Sequence, residues 1–236
     1  MMKIVALIPA RGGSKRLPRK NTKLLGGLPL IAWTIRTAIQ SGCCADIVVS
    51  TDDPGIESVS REFGATVPWL RPVQLSSDTA RSVDVAIHFL DWYEAEKGTV
   101  DGLLFLQPTS PFRTAETISK AVKMYSDDAG RVPYVSVSPA ASHPAWCFRI
   151  TDTGMSPYMG WETLGKRSQD LETAWVLNGS IYLISPDRLR SEKTFLTTDA
   201  KPIIVAEMTE AIDIDDSYDW AMAESVLLAG ATVGPA

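Results

Sequence analysis

The chain is expected to fold as an α/β protein, a three-layer α/β/α sandwich on a mostly parallel sheet, and two features of its sequence predict this. Short apolar runs alternate with longer segments of helical periodicity, which is typical of successive βαβ units. The loops after the strongest apolar runs are polar and rich in turn residues. With 236 residues, 45% of them hydrophobic, the chain has ample material for the core of a single domain over residues 1–236.

Each predicted element follows from its local pattern. An apolar run at 3–9 predicts the first strand, and the apolar spacing after residue 30 predicts a helix that ends near Gly42. Asp53 followed by Pro54 is typical of a helix N-cap and its first helical position. The predicted strands are 3–9, 46–51, 66–70, 101–106, 134–138, 178–184 and 202–206. The predicted helices are 30–42, 54–64, 82–97, 115–125 and 217–228.

Residues 139–172 interrupt this alternation. The segment mixes Pro, Gly, Trp and charged residues without a clear period, so we expect an excursion from the main sheet. Its apolar side chains are consistent with either a protein interface or a small local core. These side chains are Trp146, Phe148, Met159 and Trp161.

Composition and charge argue against several classes of function. The net charge of −5 disfavours nucleic acid or an anionic membrane as the main partner. No apolar run approaches the ~18 residues of a membrane span. The first run ends at Pro9 and is followed rather than preceded by positive charge, unlike a signal peptide. Cys43, Cys44 and Cys147 form no CxxC pair, which favours structural thiols in a reducing compartment. We therefore expect a cytoplasmic protein.

The strongest local signal is the basic loop after the first strand, where residues 11–23 carry six cations and no acid. A buried strand that opens into a glycine-containing basic loop can present backbone N–H groups and positive charge to phosphates. A plain cationic surface turn is the alternative. The loop contains neither GxxxxGK[ST] nor GxGxxG, so it is neither a Walker A motif nor a dinucleotide fingerprint. Its candidate phosphate ligands are Arg11, Lys15 and Lys20.

Three polar loops are expected to ring one cleft. Ligands of open α/β sheets collect at the carboxyl ends of the parallel strands. The loops at that edge would be 11–21, 51–53 and 107–111. The sequence therefore predicts a binding site there.

Segment 8–21, with the sequence IPARGGSKRLPRKN, resembles the signature of the CMP-sialic acid synthetase (acylneuraminate or nonulosonate cytidylyltransferase) family. Asn21 and the segment QPTS place the chain nearer the nine-carbon sugar enzymes than the related cytidylyltransferases for 3-deoxy-manno-octulosonate. Its departures are Arg16-Leu17 in the loop and Ser180 where alanine is common, and neither touches the expected chemistry. The other matching motifs, in the family's order, are STD at 50–52, RP at 71–72, SDTA at 77–80, QPTSP at 107–111, RSQD at 167–170, NGSIY at 178–182 and IDID at 212–215.

The resemblance implies a Rossmann-like nucleotidyltransferase that converts CTP and a 2-keto sugar acid into the CMP-sugar and pyrophosphate. The sugar's own anomeric hydroxyl is the nucleophile, so catalysis rests on positioning and charge neutralisation rather than on an enzymic nucleophile. The implied catalytic residues are Arg11, Lys20 and Asp213. The implied nucleotide contacts are Arg11, Gly12, Gly13, Ser14, Lys20, Asn21, Arg71 and Ser82. The implied sugar contacts are Gln107, Thr109, Arg167 and Gln169.

Asp213 and Asp215 are the metal candidates. They are two residues apart in an extended stretch, which puts both carboxylates on one face. Two hard carboxylates together with phosphate oxygens suit Mg²⁺, and the resemblance favours this cofactor. The alternative is that both acids simply precede the last helix, where Asp216 also favours the helix dipole. The base that accepts the proton of the sugar hydroxyl is not identified, and a metal-bound water or hydroxide is one candidate.

The resemblance also implies a homodimer in which the excursion packs against a partner subunit and one chain completes the other's sugar site. His88 lies within a predicted helix, where we expect a structural role. For His143, before Pro144, substrate contact and a structural role are equally open. The sugar could be N-acetylneuraminate, legionaminate, pseudaminate or an eight-carbon relative. A non-catalytic nucleotide-sugar-binding relative and an interaction protein without CTP dependence are the other classes of function.

Overall fold

The computed structural model describes residues 2–230, which contain ten strands and six α-helices. The strands are β1 Ile4–Pro9, β2 Leu24–Leu25, β3 Leu28–Pro29, β4 Asp46–Ser50, β5 Gly102–Leu106, β6 Tyr134–Pro139, β7 Phe148–Thr151, β8 Gly154–Pro157, β9 Trp175–Ile184 and β10 Lys201–Ile204. The helices are α1 Leu30–Ser41, α2 Pro54–Glu62, α3 Ser82–Lys97, α4 Ala115–Asp127, α5 Pro186–Glu192 and α6 Ser217–Leu228.

Six strands form the central sheet in the order β10-β6-β9-β5-β1-β4. The pairs β10–β6, β5–β1 and β1–β4 are parallel, whereas β9 runs antiparallel to both of its neighbours. The predicted mostly parallel sheet is therefore confirmed. The carboxyl ends of β1, β4, β5 and β6 lie at one edge.

The sheet is covered by helices on both faces, which confirms the predicted three layers. Side chains of β1 alternate between the two sides, as the period of a strand requires. Ile4, Ala6 and Ile8 pack with buried residues of α1, α2 and α4. Val5 and Leu7 pack with α3 and α5 on the opposite face. This double burial fixes the position of the strand ends that carry the polar loops.

Helix ends follow the local signals of the sequence. The Asp53 carboxylate accepts a hydrogen bond from the Ile56 N–H at 2.9 Å and caps α2, which has Pro54 in its first position, as predicted. Gly42 ends α1 with φ of 62°, a left-handed conformation that favours glycine. These two ends bracket β4 on either side.

Four parts of the chain differ from the predicted elements, and the first is the short hairpin β2–β3, which was not predicted. The predicted strand at 66–70 is reduced to two isolated bridges, at Thr66 and Leu70, because Pro68 between them cannot donate a ladder hydrogen bond. The short helix α5 was not predicted. Residues 139–172, predicted to be irregular, contain the hairpin β7–β8, whose strands are only four residues long and mostly exposed.

The excursion begins and ends at the edge of the sheet that carries the polar loops. Pro139, at the end of β6, pairs with Trp175, at the start of β9. Of residues 139–172, only Ala145 is buried. The excursion therefore projects from the same edge as the loops after β1 and β5. None of the helices in residues 2–230 combines the length and apolar character needed to cross a membrane.

Candidate active site

A cavity of about 510 Å³ opens at the carboxyl ends of β1 and β5. Its walls come from the loop after β1, from parts of segment 71–85, from residues 105–109 and from Asp215. Two of the three loops predicted to ring a cleft thus meet here. The third, 51–53 after β4, does not line this cavity but supports the loop after β1 from behind.

That support consists of close contacts between the two loops. The Gly12 N–H donates to Asp52 Oδ1 at 3.0 Å. A Cβ atom on Gly12 would lie 2.6 Å from Asp53 Oδ2, so only glycine permits this approach. At the other end of the loop, Asn21 Nδ2 donates to the Arg11 carbonyl at 3.1 Å. The basic loop is therefore tied to the sheet edge and to itself.

The structure brings most of the residues predicted for the nucleotide to the cavity. Gly12 lines a smaller neighbouring cavity of about 250 Å³ instead. Gly13 lines neither cavity, and a Cβ atom there would meet nothing within 4 Å, so packing gives no reason for glycine at this position. The predicted residues that do line the first cavity are Arg11, Ser14, Lys20, Asn21, Arg71 and Ser82.

Lys20 joins the basic loop to the acidic stretch before α6. Lys20 is buried, with only 9% of its surface exposed. Its Nζ donates to the Ile214 carbonyl at 2.7 Å and to Asp215 Oδ1 at 3.2 Å. Arg16 Nη2 reaches Asp215 Oδ2 at 2.6 Å. The cationic and anionic halves of the predicted site are thus in direct contact across the cavity.

Arg71 provides a buried positive charge on the opposite wall. It is 6% exposed, with Nη2 at 3.8 Å from Asp52 Oδ1 and Nε donating to Ser76 Oγ at 3.3 Å. Burial lowers the pKa of its guanidinium from the ordinary value, and nearby Arg11 adds to this, while Asp52 opposes both effects. An anion in the cavity would offset this crowding of positive charge.

The two predicted metal ligands flank a buried residue. Ile214 is fully buried, and its N–H donates to the Thr109 carbonyl at 2.8 Å, which fixes the stretch against the loop after β5. Partial desolvation raises the pKa of the Asp213 carboxyl, and the charges of Asp215 and Asp219 add to this shift. The pKa of Asp215 is lowered instead, because hydrogen bonds from Lys20 and Arg16 outweigh desolvation.

These acids fit a divalent cation chemically. A metal ion at the pair would stabilise the ionised Asp213 carboxyl against the desolvation, and the smaller repulsion from Asp215, that raise its pKa. Residues 2–230 contain no cluster of three or more His, Cys, Asp or Glu side chains suited to a metal. Any further ligands would therefore be waters and substrate oxygens, as Mg²⁺ commonly uses.

Gln107 and Thr109 line the cavity floor, and Arg113 fixes this floor from beneath. Arg113 is fully buried; its Nη2 donates to the Gln107 carbonyl at 2.8 Å and its Nε to Ser180 Oγ at 2.9 Å. Burial lowers the pKa of Arg113 to about 9, against the opposing charges of Glu210 and Asp213. Sequence reasoning missed this residue. The available signal was a lone cation in an otherwise uncharged run, Gln107 to Thr114.

Arg167 and Gln169 are not brought to the cavity. Arg167 lies in the excursion with its side chain 75% exposed, and its Nε donates to Asp170 Oδ2 at 3.0 Å. Gln169 is likewise exposed. Within one chain, the residues predicted for the two ends of the sugar site are therefore separated.

The two histidines have structural contacts. His143 Nδ1 accepts from the Ala145 N–H at 3.1 Å and caps a single 3₁₀ turn, while Nε2 lies 3.0 Å from the Glu172 carbonyl. His88 stacks on Trp69 with ring centroids 5.0 Å apart. Burial lowers the pKa of His88. Neither ring lines the cavity.

Asp78 lines the cavity, although the sequence reasoning did not assign it to the site. It contacts Arg11 Nη1 at 2.7 Å and also pairs with Lys15 Nζ. Hydrogen bonds from Lys15 and Arg11 hold the pKa of Asp78 below its ordinary value. The available signal was a polar SDTA segment facing a loop with no acids of its own.

The sequence matches a known family model. The model described as cytidylyltransferase matches residues 5–143. The chain is 43% identical over 234 residues to CMP-N,N'-diacetyllegionaminic acid synthase of Legionella pneumophila, covering 96% of this chain and 97% of that protein. It is 36% identical over 222 residues to N-acylneuraminate cytidylyltransferase of Streptococcus agalactiae, covering 93% of this chain and 52% of that longer protein.

A solved structure supports the same fold. The structure of CMP:2-keto-3-deoxy-manno-octonic acid synthetase complexed with CTP superposes with a TM-score of 0.73 at 19% identity. The match covers 97% of this chain and 100% of that one. The chain therefore belongs to the cytidylyltransferase family, within the group of the acylneuraminate and related nonulosonate enzymes.

Proposed function

We propose that this enzyme activates a nine-carbon 2-keto sugar acid with CTP. The anomeric oxygen of the sugar attacks the α-phosphorus of CTP, the bond to the β-phosphate breaks, and CMP-sugar and pyrophosphate form as the hydroxyl proton is lost. The observation that carries the proposal is the cavity in which basic loop and acidic stretch meet through Lys20 and Asp215. Its volume of about 510 Å³ is that of a small-molecule site.

The nucleotide half of the site is assigned to the loop after β1 and to the opposite wall. Arg11 and Lys20 neutralise charge that develops on the triphosphate, and Ser14 and Asn21 hold the loop side of the nucleotide. Asn21 is buried, and among the described residues its Oδ1 has no hydrogen-bond partner, so a donor on the ligand would satisfy it. Arg71 and Ser82 bind from the wall formed by segment 71–85. Gly12 and Gly13 do not line the cavity, so their proposed role is to shape the loop that brings Arg11 and Ser14 to the phosphates.

Asp213 and Asp215 are proposed to hold Mg²⁺. The raised pKa of Asp213 and its proximity to Asp215 support this assignment. When bound, the ion offsets negative charge on the phosphate oxygens. The chain's own contribution is to anchor the stretch that carries both carboxylates through buried Ile214; Asp215 lines the cavity, whereas Asp213 does not. Arg16 and Lys20 pair with Asp215 in this structure, so they compete with the metal ion for the oxygens of that carboxylate.

The sugar half is assigned to Gln107 and Thr109 on the floor and to Arg167 and Gln169 in the excursion. A guanidinium suits the sugar carboxylate because it can donate two parallel hydrogen bonds. Since Arg167 lies outside the cavity of its own chain, we propose that a homodimer brings the excursion to a neighbouring site. Exposed apolar side chains near this segment support an interface. They include Trp146, Met159, Trp161 and Trp175.

The substrate class follows from the relatives. The higher identity, over nearly the full length of both chains, is to an enzyme named for a legionaminic acid. N,N'-diacetyllegionaminic acid is therefore the first sugar to test, with N-acetylneuraminic acid as the second. Because CTP is an intracellular nucleotide, we propose that the enzyme works in the cytoplasm.

The test is pyrophosphate release from CTP with a panel of nonulosonic acids, an eight-carbon acid and a no-sugar blank. We expect release that requires both the sugar acid and Mg²⁺ and falls sharply when UTP replaces CTP. Lys20→Ala should lose activity, whereas Lys120→Ala on α4 should retain it, since Lys120 does not line the cavity. CTP binding without turnover for any sugar would instead favour a non-catalytic relative.

A further inference from the structure

The cavity contains a carboxylate that the proposed reaction does not use. Asp78 lies between a 3₁₀ turn at Val73–Leu75 and α3, in the segment that faces the basic loop. Its Oδ1 is 2.7 Å from Arg11 Nη1, and its Oδ2 pairs with Lys15 Nζ. All three side chains line the cavity.

The contacts of Asp78 are exchangeable. The Asp78 side chain is 45% exposed and that of Arg11 is 38% exposed, so both remain accessible to a ligand in the cavity. Ion pairs with this exposure are weak, because water and salt screen them. Phosphate oxygens are stronger partners for guanidinium and ammonium groups than a single carboxylate, since they carry more charge and offer more acceptors. A polyphosphate can therefore take both cations from Asp78.

Asp78 differs in this respect from Asp215, the other acid that pairs with the basic loop. Asp215 pairs with Arg16 and Lys20 and is adjacent to Asp213, so a bound cation gives it a direct role. Within the described residues, the ion pairs of Asp78 are with Arg11 and Lys15, and both of these cations are candidate phosphate ligands. Its charge offsets theirs in the free enzyme.

We propose that Asp78 is an internal competitor for the phosphate groups, which occupies Arg11 and Lys15 in the free enzyme and yields them to CTP. The inference rests on the proposed function. After cytidylyl transfer the same carboxylate takes the two cations back and promotes release of pyrophosphate. Asp78 thus weakens the binding of substrate triphosphate and product pyrophosphate alike, which sets a lower affinity than the bare cations would give.

Removal of the charge should strengthen phosphate binding. Two exposed ion pairs no longer have to be broken, so we expect Asp78→Asn to bind pyrophosphate and CTP about threefold to tenfold more tightly. Cytidine, which carries no phosphate, should bind with unchanged affinity. Pyrophosphate should also become a correspondingly stronger product inhibitor.

The experiment is calorimetric titration of pyrophosphate, CTP and cytidine into the wild type, Asp78→Asn and Asp78→Ala in buffer with Mg²⁺. Asp127→Asn is the matched control, because Asp127 forms a comparable exposed pair with Lys123 on α4, outside the cavity. The inference is supported if both Asp78 variants bind pyrophosphate and CTP more tightly while Asp127→Asn binds them like the wild type. Unchanged or weaker binding overturns it, since Asp78 would then hold the loop or a metal instead. If the wild type binds neither CTP nor pyrophosphate, it is the proposed function that fails.

Discussion

The two halves of the proposed site are built in opposite ways. The nucleotide half and the floor that it shares with the sugar rest on strand ends buried on both faces, and the charged residues Lys20, Arg71 and Arg113 there are themselves buried and hydrogen-bonded. The excursion, residues 139–172, has only one buried residue, and its Arg167 is largely exposed. The sheet therefore fixes the groups for phosphate, together with the floor of the sugar site, within one chain. The sugar groups of the excursion depend on packing beyond that chain.

This difference matters for catalysis because a charged group that is already fixed in position stabilises the transition state more effectively than one that must be ordered by the ligand. In the nucleotide half, the buried cations Lys20 and Arg71 are already held by acceptors of the protein, so the ligand has little reorganisation of these two side chains to induce. In the excursion, the exposed side chains must be ordered when the sugar or the partner subunit binds, and this ordering costs binding free energy. Changes to the first half should thus affect turnover and stability, and changes to the second should affect the sugar KM.

The largest effect is expected at Asp213. Asp213→Ala should lower kcat for pyrophosphate release by about a thousandfold, because the acidic pair loses a ligand next to the reacting phosphates. The unfolding free energy should not fall and should rise slightly, since a raised pKa means that folding disfavours this ionised carboxylate. Steady-state assays in Mg²⁺ and urea unfolding at neutral pH measure both. Asp152→Ala, in the turn of the hairpin, is the control, and near-normal turnover of Asp213→Ala would remove the metal assignment.

The next effect concerns the rigidity of the nucleotide half. Arg113→Met should lower the unfolding free energy by about 2–4 kcal/mol, because buried acceptors on Gln107 and Ser180 lose their donor. Arg131→Met, at an exposed position, should change it by less than about 0.5 kcal/mol. Urea unfolding compares the two. Equal stabilities would mean that Arg113 does not support the floor of the cavity.

These two regions also differ in how well the sequence predicts them. Strands β1, β4 and β5 have apolar centres, so their bounds could be predicted, as could the cavity at the ends of β1 and β5. The loop after β4 was expected at the same cavity but lies behind the loop after β1. The cap Asp53 and the cavity residues Lys20 and Arg71 could be found as well, from local turn chemistry and from motif resemblance. Each depends on signals within a few residues along the chain.

Other features depend on contacts between distant segments. The uncharged run around Arg113 singles this cation out but does not indicate what binds it, because Ser180, which accepts its hydrogen bond, is 67 residues away. Asp78 meets Arg11 across the same separation of 67 residues. The strands of the hairpin β7–β8 are four residues long and mostly exposed, so the alternation of Phe148 and Ile150 is too short to indicate a strand. Tertiary pairing decides each of these, and a single sequence does not encode it locally.

A smaller effect is expected in the excursion. Arg167→Ala should raise the KM for the sugar acid about tenfold, from loss of a charge-assisted hydrogen bond, with the KM for CTP and the stability unchanged. Arg149→Ala, which removes the guanidinium that lies over Tyr158 in the same excursion, is the matched control. Initial rates with each substrate varied separately measure the split. A rise confined to the KM for CTP would show that the division between the two halves is wrong.

The smallest effect should come from backbone strain placed in the excursion. Gly98, at the end of α3, and Gly154, in the turn of the hairpin, have φ of 79° and 132°, and a Cβ atom on either would meet nothing within 4 Å. Alanine is therefore strained but not crowded at both positions.

Gly98→Ala should lower the global unfolding free energy by about 1–3 kcal/mol, because α3 packs on the sheet. Gly154→Ala should change it by less than about 0.5 kcal/mol, since an exposed hairpin can open locally without unfolding the core. Urea unfolding measures the first difference, and faster hydrogen exchange confined to the β7–β8 amides measures the second. An equal loss of global stability in the two variants would mean that the hairpin is as firmly held as the sheet.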